Sequence, residues 1–109
     1  MRIVNLAAAL KRLRNINDEI RYFSCVEQKQ FISGLIAFKP AKKSNPKQIS
    51  HNDQDVICQV VQGSGRLRVG GRRIRLLPGT VCHIPKGTPH DFAAARSGEL
   101  VLFYSLIKT

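Results

Sequence analysis

The sequence predicts an all-β domain of antiparallel strands, folded as a sandwich or barrel. Three observations carry that expectation. From Ile20 onward, short apolar or alternating runs recur, and turn-forming residues such as glycine and proline separate them. One hairpin can be written in register around Gly70–Gly71. No helical runs alternate with the strands, as a parallel βαβ fold would require.

The elements follow in chain order. Leu6, Leu10 and Leu13 recur at helical spacing, with Lys11, Arg12 and Arg14 partly on the other side. Residues 5–15 are therefore expected to form a short amphipathic helix with Asn5 as its cap. This helix lies in an N-terminal extension, residues 1–20, of a single domain spanning residues 1–109. Strands are expected at 21–27, 31–39, 56–62, 66–70, 72–77, 81–84, 90–95 and 99–107. Between the second and third, Lys39–Asn52 holds lysines and prolines with few apolar residues and is expected to be a connecting loop.

The hairpin around Gly70–Gly71 pairs Val69 with Arg72, Arg68 with Arg73, Leu67 with Ile74 and Arg66 with Arg75. Leu67, Val69, Ile74 and Leu76 then supply an apolar face, and Arg66, Arg68, Arg73 and Arg75 form a compact block on the other. Directly opposed like charges are unfavourable. A counter-anion reverses that cost, so the block is a candidate anion-binding surface as well as a solvated or subunit-contacting one. No aromatic ladder accompanies it, which argues against a single-strand stacking platform.

Composition narrows the classes. The chain of 109 residues carries 18 basic against 7 acidic side chains, a formal net charge of +11, spread along its length. Such a balance favours encounter with anionic ligands or nucleic acid without defining a site. No apolar run approaches the roughly 20 residues of a membrane span, so no membrane role is expected. The opening MRIVNLAAALKRLRN has a short apolar patch interrupted by Lys11, Arg12 and Arg14, which reads as a helix and not as an export signal. Cys25, Cys58 and Cys82 stand singly, as expected of small buried strand residues in a reducing cytoplasm.

The run Gly79–His90, GTVCHIPKGTPH, holds a turn, an apolar strand, a proline–glycine corner and a histidine delivered just after it. Gly79, Pro85, Gly87 and His90 follow the pattern glycine, five residues, proline, one residue, glycine, two residues, histidine. In these residues the sequence resembles the cupin superfamily, over roughly residues 31–107, with Gly63 at the glycine closing the family's other motif. The resemblance implies a double-stranded β-helix, or jelly-roll barrel, with the two motifs facing each other across a cavity. It also implies a homodimer.

Metal-dependent members carry two histidines one residue apart, then a glutamate, then the histidine of the second motif. Counted back from Gly63, these positions hold Ile49, His51 and Val56, so His51 and His90 remain of the four ligands. Asp53 and Asp55 lie beside His51 as substitutes, although Asp55 and Val56 point in opposite directions if the segment is extended. Cys58 and His83 are further candidates. The cofactor expectation is therefore none, or one divalent ion (Zn, Mn, Fe or Ni) on His51, His90 and Asp53 or Asp55.

Three functions follow as expectations. The first is an accessory or sensory cupin binding a small polar or anionic molecule through His51 and His90. The second is a metal-dependent isomerase or dioxygenase, as the resemblance implies. The third is a basic dimerisation module associated with nucleic acid. His83 is expected to be a packed or surface residue, and Asp91 to orient a loop or face solvent. GSG at 63–65 is no phosphate loop, lacking the lysine and the strand-to-helix setting.

Overall fold

The computed structural model describes residues 1–40 and 51–109. It contains α1 (Leu6–Ala9), a 3-10 turn (Leu10–Arg12) and nine strands: β1 (Arg14–Asn15), β2 (Ile20–Glu27), β3 (Phe31–Phe38), β4 (Gln54–Gln62), β5 (Gly65–Val69), β6 (Arg72–Leu76), β7 (Val81–Ile84), β8 (His90–Ala94) and β9 (Leu100–Lys108). Two antiparallel sheets form, in the orders β1-β2-β3-β9-β4-β7 and β6-β5-β8. The non-consecutive neighbours are those of a jelly roll, and the all-β expectation holds. The expected connecting loop falls largely on residues 41–50, and these, with Ile49, lie outside the described residues.

Period-two alternation places the core. Along β4, Val56, Cys58 and Val60 are buried while Ile57 and Gln59 are exposed. Those inward side chains meet Leu67, Leu76, Ile84, Leu100 and Leu102 between the sheets. Leu76 and Leu100 are fully enclosed. The glycine hairpin pairs in the expected register, Arg66 with Arg75 and Arg68 with Arg73.

The helix is shorter than its leucine spacing predicts. Asn5 caps it as expected, its side chain accepting from the Ala8 amide at 3.0 Å. Leu13 then turns extended, and Arg14 and Asn15 pair with Tyr22 and Arg21 at the edge of the large sheet. The β2 edge offers those residues backbone partners that a lone helical turn lacks. Leu6, Ala9, Leu10 and Leu13 pack on the outer face of the large sheet against Leu35, Ala37, Val101 and Phe103. The helix therefore covers the barrel from outside and leaves the space between the sheets to the site.

Gly63 follows a register shift in β4 and has φ of 79°. A Cβ there would collide with the Glu99 carbonyl, so only glycine lets the chain turn from β4 into β5 beside the start of β9.

Candidate functional site

One corner positions both histidines. Between β7 and β8 the chain turns through Pro85–Thr88, with Gly87 at φ 78°. That left-handed residue aims its amide at the His51 carbonyl, to which it donates at 2.6 Å. Two residues before His90, the Thr88 carbonyl accepts from Nδ1 of that histidine at 2.8 Å. The motif that delivers His90 thus also holds the backbone of His51. The imidazole centroids lie 5.9 Å apart with ring planes inclined at 38°.

The Thr88 bond sets the tautomer. A carbonyl accepts and cannot donate, so Nδ1 carries the hydrogen and the neutral ring presents Nε2 as an acceptor. His90 is 2% exposed, and the hydrogen bond it makes among the described residues is the one from Nδ1. Burial lowers the pKa of the half-buried His51, and the neighbouring His90 lowers it further; Asp53 opposes weakly. His51 therefore favours its neutral form.

The space beside the histidines is apolar. A cavity of about 180 Å³ is lined by Phe38, Val56, Cys58, Phe92, Leu102 and Tyr104 together with His51 and His90. Phe38 stacks on Phe92 at 5.4 Å, and Phe92 meets His90 edge-on at 5.8 Å. Burial pushes the Cys58 thiol up to about 12, so it remains protonated at neutral pH. Burial, then a hydrogen bond with Tyr22, raises the Tyr104 phenol. Sequence reasoning missed the aromatic lining. The available signal was alternation, since Phe92 stands two residues after His90 and shares its face.

The other expected site residues lie elsewhere. Val56 faces the cavity, and Asp55 faces out of the sheet, in line with the opposite directions expected for the two. Asp55 accepts from the Lys86 amide at 2.9 Å and meets His83 Nε2 at 3.3 Å. The amide bond, then His83, holds its carboxyl below the usual range. His83 is exposed, as expected of a surface residue. Asp53 is exposed before the start of β4. Cys82 pairs with Cys58 across β7 and β4, and Cys25 is buried; the three thiols are free.

Asp91 neither orients a loop nor faces solvent. It is 5% exposed, and its carboxylate accepts from Arg66 at 3.0 Å and Arg68 at 2.7 Å. Burial alone would raise its pKa; the bonds from Arg68 and Arg66 outweigh burial and hold the carboxyl below its ordinary value. Two arginines of the expected anion-binding block therefore already share an internal carboxylate. Arg73 and Arg75 on β6 are exposed.

These donors do not fit a tightly held metal. Among the described residues no group of three or more histidine, cysteine, aspartate or glutamate side chains converges. Residues 41–50, AKKSNPKQIS, contain none of those types. His90 brings one nitrogen and Asp55 is engaged on the far face, so the cavity supplies two imidazoles where a zinc site takes three or four protein ligands.

The two sheets, the glycine-turned corner and the paired histidines define a small single-domain jelly-roll protein with an internal cavity. The Cupin domain family matches residues 34–106, and the chain belongs to that family. The TT1209 protein of Thermus thermophilus is similar in fold, with TM-score 0.79 and 23% identity over 99% of this chain and 98% of that one. KdgF from Halomonas sp. gives TM-score 0.74 and 21% identity over 89% and 86%. Fe(II)-HppE with the alternative substrate (S)-1-HPP gives 0.72 and 19% over 86% of this chain and 52% of that one. Metal binding is frequent among cupins. No curated protein matches the chain. No helix among the described residues is long and apolar enough to cross a membrane.

Proposed function

We propose that the protein is a small-molecule-binding cupin whose cavity takes a neutral, largely apolar ligand bearing one O–H or N–H donor. The carrying observation is the Nδ1–H bond of His90 to Thr88, which leaves Nε2 as an acceptor in an apolar cavity. The volume of about 180 Å³ sets the size. An engineered apolar cavity of about 150 Å³ accommodates benzene, so one ring with a short substituent fits. The lowered pKa of His51 weighs against an anion here, because no cationic side chain stands among the described residues lining the cavity. The polar contact expected of His51 and His90 is retained, and the anionic half of that expectation is set aside for this cavity.

The role is accessory or sensory. A metal-dependent isomerase or dioxygenase would need a third metal ligand, and the donor set among the described residues argues against it. The free thiols support a reducing cytoplasm. Exposed Ile57, Ile74 and Val81, around the edges of β6 and β7 that no other described strand pairs, support a homodimer.

The test is calorimetric titration of chelator-treated protein with phenol, toluene and benzoate. Phenol is expected to bind best, toluene more weakly and benzoate least. His90→Phe is expected to bring phenol down to the level of toluene. Tighter binding of benzoate than of phenol, or binding that requires added metal, overturns the reading.

A further inference from the structure

The outer face of the three-stranded sheet carries more arginine than acidic side chains. Arg66 and Arg68 on β5 stand directly opposite Arg75 and Arg73 on β6. Opposed like charges cost stability unless a counter-charge lies near. Asp91 on β8 supplies one carboxylate, and both its oxygens are engaged by Arg66 and Arg68.

The remaining acidic residues are committed or remote. Glu99 pairs with Arg21, Asp55 with His83 and Lys86, and Glu27 accepts from Ser24. Asp18 and Glu19 lie in the turn before β2, and Asp53 lies near His51. Residues 41–50 contain no acid. Each of the 7 acidic side chains is thereby placed, and none forms an ion pair with Arg73, Arg75 or Arg96 within 4.0 Å.

The surface beside Arg75 is concave. An open cup of about 340 Å³ is lined by Ser64, Gly65 and Ala93–Ala95 together with Arg66, Arg75 and Arg96. Apart from the arginines, no lining side chain is larger than that of serine, which leaves room for the recess. Gly65 is required there, since a Cβ would run into the Ala93 carbonyl on the paired strand. Arg75 and Arg96 are exposed, while Arg66 is steadied by Asp91. Each guanidinium offers planar, paired N–H donors to oxyanions.

The geometry points to an oxyanion site in this cup, with a phosphate-bearing ligand as its occupant. Arg75 and Arg96 both line the cup and donate to the phosphoryl oxygens, and Ser64 adds a hydroxyl to the same lining. A phosphate monoester suits this arrangement better than a lone carboxylate, because three oxygens and a second charge engage two guanidiniums at once. This site lies on the outer face of the small sheet and is independent of the histidine cavity.

The experiment is calorimetric titration with inorganic phosphate at pH 8 and constant ionic strength, comparing three proteins. They are the wild type, Arg75→Gln/Arg96→Gln, and Lys11→Gln/Lys29→Gln, which removes the same charge from exposed sites elsewhere. Circular-dichroism melts establish that all three fold. The site predicts binding by the wild type, at least tenfold weaker binding by the arginine variant, and a change of less than twofold in the lysine variant. Equal loss in both variants, or no phosphate binding by the wild type, overturns it. A nucleoside monophosphate and a short single-stranded oligonucleotide separate the sources. A shallow salt dependence with the monoester assigns a metabolite, and a steep one with preferred oligonucleotide binding assigns a phosphodiester backbone. Failure of both to be weakened by the arginine substitutions rejects the cup.

Discussion

Replacing Asp91 with asparagine removes one charge from a nearly enclosed position and keeps the shape of the side chain. In the wild type, the carboxylate takes Arg66 Nη1 at 3.0 Å and Arg68 Nε at 2.7 Å, at 5% exposure. Hydrogen bonds to charged groups contribute about 1.5–3 kcal/mol each, but the arginine side chains are 22% and 23% exposed and recover part of their hydration. Asp91→Asn is therefore expected to cost about 2–3 kcal/mol at neutral pH, or roughly 10–15 °C in melting midpoint for a domain of this size.

The pH dependence fixes the mechanism. Asp91 titrates lower in the folded state than in the unfolded one. Its contribution is thus complete above the unfolded carboxyl value near 3.8 and is lost as pH falls through the folded value. Urea unfolding of wild type and Asp91→Asn should show a gap at pH 7 that closes in strong acid. A gap under about 0.5 kcal/mol at pH 7, or one that persists when Asp91 is protonated, refutes the assignment.

Gly87→Ala should cost about 1–2 kcal/mol, because φ is 78° and nothing near a Cβ there would clash; Gly87→Asn should cost less, and urea midpoints give the order. Leu102→Ala removes a side chain 1% exposed that lines the cavity, so unfolding should be easier by about 2–5 kcal/mol, and the larger cavity should admit 2-naphthol in calorimetry. Stripping the protein with chelator and then adding zinc should move the melting midpoint by no more than about 1 °C, since two imidazoles hold the ion weakly. Folded-state alkylation at pH 8, read by peptide mass spectrometry, should spare Cys58, whose thiol is buried and pushed up to about 12.

The strands were legible because glycine and proline punctuate them and β4 alternates cleanly between buried and exposed residues. β1 was not legible. Arg14 and Asn15 fit a helical pattern, and only the neighbouring β2 edge decides their conformation. His90 could be found from its spacing to Gly79, Pro85 and Gly87, and His51 by counting back from Gly63 through the cupin resemblance. Their neutral, apolar surroundings could not, because Phe38, Phe92 and Tyr104 arrive from three different strands. Asp91 shows the same limit. Alternation puts it on an outward face, which looks solvated in sequence, and only cross-strand pairing brings Arg66 and Arg68 onto it.

His90 acts as a hydrogen-bond acceptor in the proposed metal-independent apolar cavity. Imidazole ¹⁵N resonances of the chelator-treated protein test it most directly, recorded at a pH where the ring is neutral and again with 4-methylphenol. A protonated Nδ1, an unprotonated Nε2, and an Nε2 resonance that moves when the phenol binds are expected. A proton on Nε2 in the free protein, or a phenol response that appears only after metal is added, would contradict it.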